Sequence, residues 1–171
     1  MLDKNRFKDI ATFLLPAAIV IPLDQLTKFW VKQTIPLGGS IPATGFFRLT
    51  HVQNTGAAFG IFPGSIEVLA IISAIGALAI LWLGLLMYRR FDFLNSRLSL
   101  IALGMMLGGV LGNFIDRAFI GYVTDFLKMG PWPDYNIADA SEVIGSITLA
   151  VIIFRSALND NSDGAHETTS C

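Results

Sequence analysis

The chain has 171 residues, of which 53% are hydrophobic and 15% charged, with a mean hydropathy of +0.61. A soluble domain carries roughly 25% charged residues, so this composition excludes an ordinary soluble fold and points to one integral membrane domain. The net charge of −1 is not accompanied by a basic patch interleaved with aromatics, which argues against a nucleic-acid partner. Cys171 is the only cysteine and stands last, in a TTSC ending that lacks a prenylation pattern. Without a Cys/His cluster no structural zinc is expected, and no cofactor.

Taken in order, the chain opens with a polar stretch holding Lys4, Arg6 and Lys8, followed by a first apolar span over residues 10–31. About 20 apolar residues cross a bilayer. No small-x-small cleavage site follows, so the span is expected to be retained, bent by Pro16 and Pro22. Residues 32–65 are too rich in Gly and Pro to span. Their FFRLTHV run (Phe46–Val52) favours a short strand on the membrane surface, with aromatics toward lipid. Further spans are expected over 66–88, 98–120 and 137–158. Gly104, Gly108 and Gly112 give the third a small-residue face for close helix packing. The expected fold is therefore an all-α membrane protein of four transmembrane helices with a small extracytoplasmic β element. Residues 1–158 form its single domain, and 159–171 a polar, disordered tail.

Basic residues set the orientation. Lys4, Arg6 and Lys8 precede the first span, and Arg89, Arg90 and Arg97 fill the loop after the second. The longer segments 32–65 and 121–136 hold only Lys32, Arg48 and Lys128. The positive-inside rule places both termini in the cytoplasm and those two segments outside.

The stretch from Gly112 to Asp139 carries Asp116, Asp125, Asp134 and Asp139 between two apolar spans, where carboxylates are costly. Asp125 follows the third span and Asp139 lies in the first turn of the fourth. If the connecting segment folds back, the two carboxylates meet and share a proton, able to activate water and to protonate a leaving nitrogen. The plainer reading is that Asp139 caps its helix while Asp125 faces water; Asp134 reads as a solvated loop residue. Asp116–Arg117 reads as a local charge pair, or as an Arg available to a phosphate or carboxylate. Asp24 and Lys28 lie one helical turn apart, either as a neutralised ion pair or as a brace for the site. Trp30, Phe119 and Trp132 read as interfacial anchors, and His51 and His166 suggest no chemistry.

Five sequence boxes resemble those of the lipoprotein signal peptidase (signal peptidase II) family over roughly residues 20–155. They are D-x-x-x-K at Asp24–Lys28, N-T-G-A-A-F at Asn54–Phe59, G-G-x-x-G-N-x-x-D-R from Gly108 to Arg117, V-x-D-F at Val123–Phe126, and N-x-A-D at Asn136–Asp139. The resemblance implies an aspartic endopeptidase of the bacterial inner membrane with Asp125 and Asp139 as catalytic dyad. Its substrate would be a diacylglyceryl-modified prolipoprotein, cut before the lipidated cysteine. It places Asn54, Gly56, Gly108, Asn113, Asp116, Arg117, Asn136 and Ala138 around the site. Surrounding phospholipid and a monomeric state complete the expectation. The alternative from another class is a small proton-coupled transporter, which predicts acidic residues near mid-span rather than at the outer edges; a non-catalytic scaffold is a third. Glu142, three positions after Asp139, stands where an apolar or small residue is expected.

Overall fold

The computed structural model describes residues 4–56 and 65–167. Its first helix, α1, runs over Lys4–Thr34, unbroken through Pro16 and Pro22. Two strands follow, β1 (Ser40–Ile41) and β2 (Phe47–Asn54). Helix α2 (Ile66–Trp82) widens into a π-helical turn over Leu83–Met87, where Gly84 lies against the Phe13 ring. Helix α3 spans Arg97–Phe119, β3 spans Val123–Met129, and α4 spans Ile137–Glu167. Among the described residues, four helices are long and apolar enough to cross a membrane, within a few residues of the spans expected from sequence. No proline interrupts 137–167, and α4 continues as helix past the expected end at Leu158. The rest of the expected tail, 168–171, and Ala57–Phe59 of the second box lie outside the described residues.

Helix α3 is the centre of the bundle and touches α1, α2 and α4. Its small residues make this possible. A methyl group at Gly108 would come within 2.8 Å of Val20 on α1, and one at Gly109 within 2.5 Å of the Glu142 side chain on α4. Backbones that approach so closely exchange bulk for contact area, the means by which helices associate where lipid removes the hydrophobic drive between them. Phe13, Leu100, Leu103, Leu107 and Tyr88 fill the core on the N-terminal side of α3. The outer helices turn Ile71, Ile75, Leu78, Ile144, Ile147 and Phe154 outward, as a lipid-facing surface requires.

The two segments between α1 and α2 and between α3 and α4 build one antiparallel sheet of order β1-β2-β3. Strand β3 lies in the 121–136 segment, for which the sequence suggested only a connection that folds back. Gly121, with φ 81°, ends α3 in the left-handed conformation, and its N–H reaches the Asp116 carbonyl at 3.1 Å. The chain then enters β3 beside β2. Leu49 pairs with Leu127 and Val52 with Asp125, so β2 carries one extra residue across Thr50–His51, a bulge opposite Phe126. His51 is buried there, its Nδ1–H donating to the Ile35 carbonyl at 2.8 Å and tying the sheet to the end of α1.

Beyond Met129 the chain reverses at Gly130, whose φ is 51°, and runs back along β3. Tyr135 pairs with Leu127, its carbonyl accepting from Phe126 N–H at 3.0 Å and Leu127 N–H at 2.7 Å. Asp134 holds this return, accepting from Thr50 Oγ1 at 2.6 Å and Lys128 Nζ at 3.2 Å. It is therefore a tether of the loop to β2 and β3, not the solvated residue expected. The reversal places the start of α4 beside Asp125.

Candidate active site

Asp125 sits mid-strand on β3 and is 2% exposed, while Asp139 occupies the first turn of α4. Asn136, immediately before α4, joins them. Its side-chain Oδ1 accepts from Asp139 N–H at 2.9 Å, and the Asp139 carboxylate accepts from Asn136 N–H at 3.1 Å. This reciprocal arrangement is a capping box in which Asn and Asp replace the usual Ser/Thr and Glu. The N-x-A-D motif thus starts the helix and presents a carboxylate at once, so the capping and catalytic readings of Asp139 are compatible. Because Asn136 Oδ1 is committed to the cap, its Nδ2 is free to donate to Asp125 Oδ1 at 2.8 Å and Asn113 Oδ1 at 3.1 Å.

The same logic orients the other two asparagines. Asn54 Oδ1 accepts from Gly56 N–H at 2.9 Å in a tight turn, which aims its Nδ2 at Asp125 Oδ2, 2.9 Å away. Asn113 Oδ1 accepts from Lys28 Nζ and Asn136, so its Nδ2 donates to Asp139 Oδ1 at 2.7 Å. All four dyad oxygens therefore receive one N–H each, from Asn54, Asn113 and Asn136. Side chains held by this many partners have little freedom to rotate, and pre-set orientation is what acid–base chemistry needs.

Burial, followed by the charge of Asp139, pushes the Asp125 carboxyl up to about 7. The hydrogen bonds from Asn54 and Asn136 and the more distant Lys28 charge act in the opposite direction without cancelling it. Desolvation wins because a strand residue shielded by α3, α4 and β2 has almost no water with which to spread its charge.

Beneath the dyad lies a buried ion cluster. Lys28, 1% exposed, is 2.7 Å from Asp24 Oδ2 and 3.1 Å from Asp116 Oδ2, and its third donor goes to Asn113. All three ammonium hydrogens are used. Asp24 Oδ1 accepts from Ala138 N–H at 3.0 Å, at the positive end of α4, and Asp116 Oδ2 accepts from Thr124 N–H at 3.2 Å. The cluster thus locks α1, α3, β3 and α4 together directly below the two aspartates. Asp24 and Lys28 are both an ion pair and a brace.

Asp116 and Arg117 do not form the expected local pair. Neighbours on a helix point about 100° apart, so Asp116 faces Lys28 while Arg117 reaches Ser73 Oγ on α2 at 3.1 Å. Gly108 packs against α1, and Ala138 lies 3.1 Å from where a methyl on Gly112 would stand, so both govern helix approach. Gln25 escaped sequence reasoning. Its Nε2 donates to the Gly112 carbonyl and to Asp116 Oδ1, both at 3.1 Å, and also contacts Asp24. An amide beside Asp24 within an apolar span was the available signal.

Comparison with known proteins gives a consistent picture. Residues 16–155 match the family described as Signal peptidase (SPase) II. The chain is 44% identical over 140 residues to a lipoprotein signal peptidase of Dehalococcoides mccartyi, covering 82% of this chain and 87% of that one. It is 38% identical over 173 residues to the lipoprotein signal peptidase of Trichormus variabilis, covering 98% and 99%. A solved structure of a bacterial membrane enzyme, obtained by the in meso method at 2.3 Å resolution, superposes with a TM-score of 0.79. It shares 32% identity, with 87% of this chain and 91% of that one covered. With a match spanning four helices, the sheet and both aspartates, the chain belongs to the signal peptidase II family, a multi-pass bacterial membrane peptidase.

Proposed function

We propose that Asp125 and Asp139 are the catalytic pair of an endopeptidase that releases the signal peptide from diacylglyceryl-modified prolipoproteins, cutting before the lipidated cysteine. The observation that carries this reading is the set of four N–H donors holding both carboxylates beside the single bridging residue Asn136. At neutral pH one proton serves the pair. Burial favours the protonated form of Asp125, so Asp125 is assigned as the acid and Asp139 as the base.

Asp139 takes a proton from water as the water oxygen attacks the scissile carbonyl carbon, while Asp125 gives its proton to the carbonyl oxygen. The tetrahedral diol then collapses. Asp139 returns its proton to the leaving nitrogen, the C–N bond breaks, and Asp125 recovers a proton from the diol hydroxyl. Both carboxylates end as they began. Asn54, Asn113 and Asn136 orient the pair, and Asp24, Lys28 and Asp116 hold the floor. Gly56, Gly108 and Ala138 provide the turn and the helix contacts, and Arg117 ties α3 to α2.

The orientation supports this chemistry. The sheet and the dyad lie at the end of the bundle reached by the poorly basic segments, and Arg89 with Arg90 lies at the opposite end, where Arg89 bridges to Asp9 at 3.0 Å. The positive-inside rule puts both termini in the cytoplasm and the dyad at the outer face. There a signal peptide presents its cleavage point and the diacylglyceryl group stays in lipid. Exposed Phe46, Phe47 and Trp132 on the sheet side suit that interface. No feature of the fold or the relatives favours a proton-coupled transporter.

The test is cleavage by the purified full chain of a precursor with and without the diacylglyceryl group. Cutting confined to the modified form supports the reading, and equal cutting of both removes the lipid requirement. A reporter fused after residue 130 should register outside the cell.

A further inference from the structure

Glu142 stands one turn of α4 beyond Asp139, so it lies deeper in the membrane on a neighbouring face. Its side chain does not turn to lipid. It crosses Gly109 of α3, where a methyl group would come within 2.5 Å of Glu142 Cγ. There its carboxylate feels Asp139, Arg117, Asn113 and Lys28. Asn113 is the residue that donates to Asp139 Oδ1. Both carboxylates therefore neighbour one amide.

Packing does not call for an acid here, since the following residues Val143 and Ile144 are apolar and lipid-facing. Among the described residues Glu142 has no cation within ion-pair distance. Arg117 donates to Ser73, and its buried Nε has no partner. A carboxylate placed at such cost, with no structural use for its charge, is the pattern of a functional residue.

The charges around the site make the role specific. On α1 stand Lys28 and Asp24, on α3 Asp116 and Arg117, on β3 Asp125, and on α4 Asp139 and Glu142. Lys28 is committed to Asp24 and Asp116. Beyond Lys28, the cation nearest Glu142 is Arg117, which is bonded elsewhere, and Asp125 feels no cation but Lys28. Carboxylates gathered in a poorly solvated site repel one another, so the charge of each opposes ionisation of its neighbour.

The geometry points to Glu142 as a third carboxylate of the centre, a positioning residue that keeps the shared proton on the Asp125–Asp139 pair as the pH rises. This rests on the dyad reading above. Its negative charge one turn behind Asp139 opposes loss of the last proton from the pair. The enzyme therefore remains active to higher pH than its two aspartates alone would allow.

The test is the pH–rate profile of the full-length enzyme in lipid, on a diacylglyceryl-modified precursor, for wild type and the variants Glu142→Gln, Glu142→Asp and Glu142→Leu. Glu142→Gln and Glu142→Leu should move the alkaline limb to lower pH by about one unit, with KM unchanged. Glu142→Asp, which keeps the charge, should stay near the wild-type limb. A residue that only packs would change all rates together and leave the limb in place. Coincident limbs for Glu142→Gln and wild type, or equal movement of Glu142→Gln and Glu142→Asp, overturn the inference. If Glu142→Gln fails to insert, Glu142→Leu, the better-tolerated residue in lipid, decides by the same comparison. Failure of the dyad itself reads out separately, as turnover surviving in Asp139→Asn.

Discussion

Replacing Asp125 by Asn should separate activity from stability. Burial and the Asp139 charge raise this carboxyl from 3.8 to about 7, so the folded protein binds its proton more tightly than the unfolded chain does. A raised acid contributes stability that is complete below pH 4 and is lost as the pH climbs through 7. The span corresponds to about 4 kcal/mol lost by pH 8. Asparagine has no proton to lose and is spared that penalty. It does forfeit one hydrogen bond, because Asn54 and Asn136 both donate to Asp125 and an amide accepts through only one of its two ends. That mismatch costs about 2 kcal/mol. The variant should therefore be inactive, yet about 1–2 kcal/mol more stable than wild type at pH 8, with a flatter stability profile between pH 4 and 7. Thermal unfolding in detergent followed by circular dichroism across that range checks both. A variant less stable than wild type at pH 8, with an unchanged pH slope, would refute the reasoning about burial.

Two further outcomes follow from the polar network. Asn136→Ala removes the side-chain cap of α4 and the amide donor to Asp125 while keeping the backbone N–H that reaches Asp139, so the rate of precursor cleavage should fall at least about a hundredfold and stability by about 1–2 kcal/mol. Lys28→Met leaves Asp24 and Asp116 buried without their cation, and should destabilise by about 3–5 kcal/mol at neutral pH. Neutralising all three together (Asp24→Asn, Lys28→Met, Asp116→Asn) should recover much of that loss in the same melts, and a triple variant no better than Lys28→Met would contradict the ion-cluster account.

Much of this was legible in the chain, and the parts that were not share a cause. The four spans announce themselves because about 20 apolar residues in a row have few other uses, and their ends are marked by charge. Strand β2 was visible in its partial alternation. Strand β3 was not, because VTDFLKM carries its aspartate and lysine in a short polar stretch, and its pairing with Phe47–Asn54 is a contact between distant segments. The return at Gly130, which sets Asn136 beside Asp125, depends on that pairing and was hidden with it. Sequence adjacency misled for Asp116 and Arg117, since helix geometry sends neighbours to different helices. It also misled for Asp134, whose partners Thr50 and Lys128 meet only in the folded sheet. Asp24 and Lys28 were recognisable as a pair, but the third member, Asp116, lies on another helix. Asp125 and Asp139 stood out in the sequence because they lie at span ends, where a carboxylate needs a reason.

The central claim is that Asp125 and Asp139 together perform the hydrolysis, and the most direct measurement is single-turnover cleavage of a diacylglyceryl-modified precursor by Asp139→Asn at pH 7. Asparagine keeps the side-chain shape and an acceptor oxygen for Asn113 or Asn136, but it cannot take a proton from water. The account predicts a rate reduced about a thousandfold or more with precursor binding retained. A rate within tenfold of wild type would contradict it.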